Sequence, residues 1–347
     1  MTGSAAPPPG PDEHRAAAIV YHRFGGPEVL EAVMIPIPAP ARGEVLLRHT
    51  AISVNFSDVN ARRGGFYRSG PGAMPVIPGN EAVGEVVALG AGVDGVRPGD
   101  KVAYVGMGGA FFADTGAYAC YRAVPAGRLI PLPAGLSDVD VAAILMKGLT
   151  ASSAIHRFHR PAAGETVLVH AAASGVGLIL CQWAQQCGAR VLGTVGTPEK
   201  ARIAAAHGCD ETILYRETDF VAEVRRLCPD GVAAVYDGVG RDTVLGSLDC
   251  LRPFGKLVSY GNASGPPPAV DLLALAAKGS LSVGRLAMGD HIRAPEDYQG
   301  MASELLGLCL RGVIRPHVDA VMPLSAAADA HRRLESGAHA GAIVLVP

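Results

Sequence analysis

A short run of small residues, Ala171-Ala-Ala-Ser-Gly-Val-Gly177, follows a β-branched segment and opens an amphipathic one. Small side chains in such a turn let backbone amides approach a pyrophosphate, whose charge then rests at the positive end of the following helix. Of the dinucleotide fingerprint G-x-G-x-x-G only the last glycine is kept, as Gly177. Ala172 and Ser174 occupy the first two glycine positions, and Gly175 is an additional small residue. Taken alone the match is weak and the turn reads as an ordinary Gly-containing βα connection; the strand and helix signals that follow it in register shift the reading to cofactor binding. About 20 residues beyond such a turn, NAD-binding chains carry Asp or Glu at the tip of the second strand. Here that tip reads Val195-Gly196-Thr197, with no carboxylate to hold a 2′-hydroxyl or repel a 2′-phosphate. Lys200, in the first turn of the next helix, and Tyr215, ending the third strand, offer a cation and a hydroxyl for that phosphate. Each is equally read as a solvated helix lysine and a strand-end aromatic, but the missing acid favours NADPH.

Metal chemistry finds little support. The seven cysteines, at 120, 181, 187, 209, 228, 250 and 309, include no C-x-x-C pair, and their odd number suits reduced thiols. His156 and His159 stand at i, i+3 on an expected helix, without a Cys or carboxylate partner set, and read as a solvated face.

The elements that must position these residues fall into two groups. Before Asp138, short β-branched runs alternate with turn clusters, as in Glu44-Val-Leu-Leu-Arg48, Gly84 to Gly90 and Pro98 to Ala103, which describes a small, largely β domain. After it, strands at Thr166–His170, Arg190–Val195, Glu211–Tyr215, Val232–Tyr236 and Lys256–Tyr260 alternate with helical stretches. That rhythm implies right-handed βαβ crossovers and a doubly wound parallel sheet, an α/β class. The last segment, Gly341-Ala-Ile-Val-Leu-Val-Pro347, is an apolar strand with no helix after it, expected to rejoin the N-terminal domain. Expected boundaries are a disordered tail over 1–14, a catalytic domain over 15–138, a dinucleotide domain over 139–284 and a return over 285–347.

Composition bounds the function. At 347 residues, with 49% hydrophobic, 18% charged and 5% aromatic residues, the chain suits two compact domains rather than a disordered or fibrous polymer. A net charge of −2 provides no global basic field, so nucleic acid is not the expected partner. Neither a signal-peptide pattern nor the roughly 18 apolar residues of a membrane span is evident, so no membrane association and a cytoplasmic location are expected.

The segment from His170 to Tyr215 closely resembles zinc-independent NADPH:quinone oxidoreductases of the medium-chain dehydrogenase superfamily. So do His22–Leu30, Val54–Asp58, Lys147–Thr150, Tyr236–Asp242 and Gly261–Gly265, and the likeness spans nearly the whole chain after residue 15. The resemblance implies a GroES-like, mainly β catalytic domain, a Rossmann domain, a cleft between them and a homodimer. It puts Asn55 and Tyr67 near the nicotinamide, with Lys147 and Thr150 on the adjoining helix. Ser174, Gly175 and Val176 would meet the pyrophosphate, and Gly196, Lys200 and Tyr215 the adenosine phosphate. Val239, Gly261, Asn262 and Arg285 would complete the cleft. Zinc-dependent relatives carry their catalytic Cys and His where this chain has Asn55 and Asn80, and Cys120 is the only cysteine before residue 181, so no zinc site is expected.

Without a metal to polarise an alcohol, the resemblance implies direct hydride transfer from NADPH to an acceptor that is already electrophilic, a quinone or another conjugated carbonyl. Tyr67 is the candidate hydrogen-bond donor to the developing oxyanion; Asp58 is either catalytic or a structural partner within its turn. An NADPH-dependent enoyl or enal reductase stays open beside the quinone reductase. So does a non-catalytic nucleotide- or RNA-binding protein on the same fold.

Overall fold

A computed structural model describes residues 14–64, 74–106 and 115–347. Most of the tail expected over 1–14 thus lies outside the described residues, as does Tyr67. The chain divides into two compact units. One holds the chain up to Leu132 together with Val321–Glu335 and Val344–Pro347; the other holds Pro133–Ala320 and Ser336–Ile343.

In the first unit β1 (Arg15–Val20) pairs antiparallel with β2 (Glu31–Pro36). A larger sheet is built on β3 (Glu44–Val54), whose alternating and then continuous burial fits a strand covered on both faces at its end. Helix α1 (Phe56–Arg62) follows at once, then β4 (Glu81–Leu89), β5 (Lys101–Val105), β6 (Tyr121–Pro125) and β7 (Ile130–Pro131). β3 pairs antiparallel with both β4 and β6, and β5 with both β4 and β7.

The second unit opens with α2 (Asp138–Ser153), capped by Ser137, whose side chain accepts the Asp140 amide. Alternation then follows: β8 (Thr166–Val169), α3 (Gly175–Gln186), β9 (Arg190–Val195), α4 (Pro198–Ala206), β10 (Glu211–Leu214), α5 (Phe220–Leu227), β11 (Val232–Asp237), α6 (Val244–Cys250), β12 (Leu251–Ser259), α7 (Leu272–Ala277) and β13 (Ser282–Arg285). The six strands pair in parallel in the order β10-β9-β8-β11-β12-β13. Numbered from β8 this is 3-2-1-4-5-6, the doubly wound order, whose direction reverses between β8 and β11. The crevice at their carboxyl ends is where such a sheet binds a ligand. β11 is buried along its whole length, as a central parallel strand must be, and Leu168, Leu192, Val235 and Leu257 join one core beneath it.

The expected return of the chain at residue 285 is corrected here. β13 extends the parallel sheet through β12, and after α8 (Met288–His291) the long α9 (Pro295–Leu310) packs on α2. The Rossmann unit therefore keeps the chain to Ala320, because the apolar face of α9 (Tyr298, Ala302, Leu305, Leu306) needs the α2 layer to cover it. Only then come β14 (Val318–Pro323), α10 (Ala327–Glu335) and β15 (Ala342–Val346), and the two strands join the β3 sheet in the order β14-β15-β3.

Candidate active site

In the Rossmann unit the turn after β8 is tight. Ala171 takes a positive φ of 50°, and the Ala172 amide is held by the carbonyl of Thr194. Ser174 is the N-cap of α3: its Oγ accepts the Gly177 amide at 3.1 Å. Its hydroxyl proton stays available to a phosphate oxygen. The first-turn amides of Gly175 and Val176 have no carbonyl one turn back to bond, as at every helix start, and present a ready anion site. A Cβ on Gly177 would lie 2.3 Å from the Ala171 carbonyl oxygen, so only glycine lets α3 start this close to β8. The stem of buried Lys147 lies over Gly175, 2.5 Å from where a Cβ would stand. Thr150 turns away: its hydroxyl bonds the Met146 carbonyl of its own helix at 2.8 Å.

At the tip of β9, Thr197 caps α4 by accepting the Lys200 amide. Lys200 extends its ammonium to the Gly337 carbonyl at 2.6 Å. Partial burial, then the Arg216 charge, lower its pKa. A Cβ on Gly196 would meet the Tyr215 hydroxyl at 3.1 Å and the Arg216 Nε at 3.3 Å. Gly196 and Tyr215 thus meet at the strand tip with Arg216 beside them, and Lys200 stands in the first turn of α4; Arg216 has no local mark that separates it from the other basic residues of the chain.

Beyond β11 the buried Asp237 organises the next loop. Its Oδ1 accepts the amides of Val239 and Gly240, at 2.8 and 3.1 Å, and the hydroxyl of Thr243. Arg285 donates to the Ser259 hydroxyl at 2.8 Å and the Gly261 carbonyl at 3.0 Å, and the Asn262 carbonyl takes the Gly265 amide. Val239, Gly261, Asn262 and Arg285 therefore gather at the carboxyl ends of β11 to β13. Asp237 was missed; the signal was Asp followed by Gly-Val-Gly and, six residues on, Thr.

In the other unit a buried polar cluster surrounds the start of α1. Asp58, 1% exposed, accepts the Asn55 amide at 2.8 Å and the Tyr118 hydroxyl at 3.2 Å on Oδ2, and the Asn80 side-chain amide on Oδ1. Asn55 in turn donates its side-chain amide to buried Glu81 at 2.8 Å. His331, on α10, meets the Tyr118 hydroxyl at 3.0 Å. Because Tyr118 gives its proton to Asp58, Nε2 of His331 must donate, leaving Nδ1 as a bare lone pair. Nδ1 indeed has no hydrogen-bond partner among the described residues. Burial, with Arg62 and Arg63 close by, pushes the His331 pKa down to about 3, so the ring is neutral. Both Asp58 oxygens thus accept hydrogen bonds, from the residue that opens α1, from Tyr118 and from Asn80 just before β4.

Comparison with known proteins places this arrangement. Residues 41–134 match the alcohol dehydrogenase GroES-like domain, and residues 175–307 the zinc-binding dehydrogenase domain. A quinone oxidoreductase from Pseudomonas aeruginosa is 42% identical over 340 residues, covering 96% of this chain and all of that protein. The chain belongs to the quinone oxidoreductase family. The crystal structure of an Escherichia coli quinone oxidoreductase complexed with NADPH superposes with a TM-score of 0.89 at 39% identity, covering 96% of this chain and 100% of that one. A 2-haloacrylate reductase from a Burkholderia species is 37% identical over 334 residues, covering 95% of this chain and 98% of that protein.

Asn55 and Asn80 donate side-chain N–H groups to the buried carboxylates of Glu81 and Asp58. Among the described residues no three of His, Cys, Asp and Glu are grouped to hold a metal. Of the two histidines expected on a solvated face, His156 is exposed and His159 half-buried, and each has the carboxylate partner that the spacing did not show. His156 bonds Glu304 at 2.9 Å and meets the Trp183 ring edge-on, while His159 ends the helical turn and bonds Glu165 at 3.1 Å. A π-type turn over Ala154–Phe158 redirects the chain, so the i, i+3 spacing no longer puts both rings on one face.

Proposed function

We propose that this protein is an NADPH-dependent quinone oxidoreductase that reduces its acceptor by direct hydride transfer without a metal. The observation that carries the reading is the tip of β9, where a glycine stands between a lysine, a tyrosine and an arginine with no carboxylate at the strand end. The bound cofactor supplies the hydride. The amides of Gly175 and Val176 and the hydroxyl of Ser174 bind its pyrophosphate, and Lys200 and Tyr215 bind its 2′-phosphate. Lys147, Val239, Gly261, Asn262 and Arg285 seat the remainder. Asn55, held rigid by Asp58 and Glu81, and Tyr67, outside the described residues, orient the acceptor and hydrogen-bond its developing oxyanion. A quinone needs modest help, since its reduced oxyanion is phenolate-like, with a proton affinity near that of tyrosine, pKa about 10. A homodimer in the cytoplasm is the assembly and compartment proposed with this activity.

The test is to follow loss of reduced nicotinamide with 1,4-benzoquinone, larger quinones and α,β-unsaturated ketones, and to offer ethanol and benzyl alcohol with NADP⁺. Quinones should be reduced with NADPH and alcohols left alone. Turnover of alcohols with indifference to every quinone would refute the assignment. A preference for activated alkenes would select the enoyl-type reading, which the 2-haloacrylate reductase relative favours.

A further inference from the structure

Arg216 is an exposed arginine just beyond β10, and among the described residues its guanidinium has no hydrogen-bond or ion-pair partner. Most arginines of this unit are differently placed: Arg157, Arg190, Arg226 and Arg252 each pair with a carboxylate. Arg216 instead sits close enough to Lys200 for the two charges to disfavour one another, and Lys200 is itself partly withdrawn from water. Asp319 offsets part of this for Lys200, but a partly desolvated cation beside an arginine with no ion-pair partner among the described residues still carries an electrostatic cost that an anion would recover.

The floor between them is Gly196. The point its Cβ would occupy lies within 3.3 Å of both the Arg216 Nε and the Tyr215 hydroxyl, so any side chain there would crowd both donors. Lys200 reaches the same strand tip from the first turn of α4 and parks its ammonium on the Gly337 carbonyl, which uses one of its three N–H donors. A planar guanidinium and a phenol thus converge on a glycine, with an ammonium from the next helix anchored on the Gly337 carbonyl.

We propose that Arg216 is the second cation of the 2′-phosphate site and a specificity-determining residue for NADPH over NADH. Building on the cofactor assignment above, it goes beyond it by giving a dianion two cationic partners instead of one. The fork of Arg216 takes two phosphate oxygens while Lys200 acts as a point charge on the third. A 2′-hydroxyl offers neither charge nor geometry to that fork, so NADH gains nothing from Arg216.

The test uses 2′,5′-ADP and 5′-AMP as probes, measured by titration calorimetry on the whole protein, with Arg216→Ala and Arg216→Gln. Both variants should bind 2′,5′-ADP about 10- to 100-fold more weakly, the loss of one charge-assisted contact at a partly exposed site. Affinity for 5′-AMP should stay within about 2-fold, and the salt dependence of 2′,5′-ADP binding should flatten. Arg216→Lys should recover part of the loss, and the NADPH to NADH ratio of kcat/KM should fall in step. Equal weakening of both probes would make Arg216 a structural residue, and no change with either would leave Lys200 as the sole cation; each result overturns the proposal and leaves the cofactor assignment standing. A wild-type protein that binds both probes alike would overturn the cofactor assignment as well. Unchanged thermal melting of the variants in the absence of probe separates these outcomes from misfolding.

Discussion

Replacing Asp58 by asparagine or by alanine should give two very different proteins, although both substitutions delete the same charge. The carboxylate collects three donors, the Asn55 amide and Tyr118 hydroxyl on one oxygen and the Asn80 side chain on the other. In Asp58→Asn the side-chain oxygen can keep the first two. The new NH₂ then faces Asn80, whose Oδ1 has no partner among the described residues and becomes the acceptor once that amide flips. Ser57, now bonded by the Asn80 NH₂ at 3.2 Å, can turn its hydroxyl and donate instead. The flip leaves the Asn80 NH₂ where its Oδ1 stood, with no acceptor among the described residues, so the loss should be about 2 kcal/mol, one unsatisfied group and the charge-assisted part of the bonds. In Asp58→Ala all three donors are stranded in a site that is 1% exposed. At about 1–3 kcal/mol for each unsatisfied group, partly relieved by relaxation and entering water, the loss should be about 3–4 kcal/mol. For a unit of this size that lowers the melting temperature by about 6–15 °C, against about 4–8 °C for the asparagine. The assay is thermal and urea unfolding, with NADPH-dependent quinone turnover of the still-folded fraction. Quinone KM should rise more in the alanine variant, because Asn55 loses the carboxylate that holds its backbone. Equal destabilisation by the two substitutions would refute the reasoning, since it would mean the negative charge, and not the count of donors, holds the cluster together.

Acid should weaken the same unit in a defined window. His331 is held neutral down to about 3 and His49 down to about 4, chiefly by burial, against 6.5 for an exposed ring. Their folded values are depressed, so their contribution is complete above about 6.5 and is lost as pH falls toward 4 and then 3, by up to about 1.4 kcal/mol per pH unit for each ring. Urea midpoints taken from pH 7 to pH 5 should fall, and His331→Asn should flatten the slope; an unchanged slope would mean His331 is already protonated when folded. Gly196→Asp should set a carboxylate against the Tyr215 hydroxyl and Arg216, lowering the NADPH to NADH ratio of kcat/KM by about 10-fold or more; an unchanged ratio would place the 2′-phosphate elsewhere. Elemental analysis should find no stoichiometric zinc, with activity kept in chelator, because Asn55 and Asn80 stand where zinc-dependent relatives have Cys and His; one tightly held zinc per chain would contradict this.

The strand–helix alternation after Asp138 made the Rossmann sheet legible, since fully buried parallel strands leave continuous apolar runs such as Val232–Tyr236 that need no partner to be seen. The glycine at 177 and the absent acid beside Gly196 were legible for the same reason: each acts through its own backbone or its immediate neighbours. The end of that unit was not. The chain after 285 carries no local mark of which layer it joins, and only the packing of α9 on α2 keeps it with the Rossmann sheet to Ala320. Arg216 and Asp237 escaped as well, one an arginine among thirty lysines and arginines, the other an acid in an ordinary Gly-containing turn.

The sequence by itself therefore determined the class of fold, the cofactor turn and the preference for a 2′-phosphate, all written in short-range spacing. Only the tertiary structure decided that Tyr118 meets Asp58 across 60 residues of chain, that His331 meets Tyr118 across a further 213, and that a second cation stands near Lys200. Hydrogen-bond partners of buried groups are chosen by whichever elements the hydrophobic core brings alongside, and that choice leaves no periodic trace in the chain.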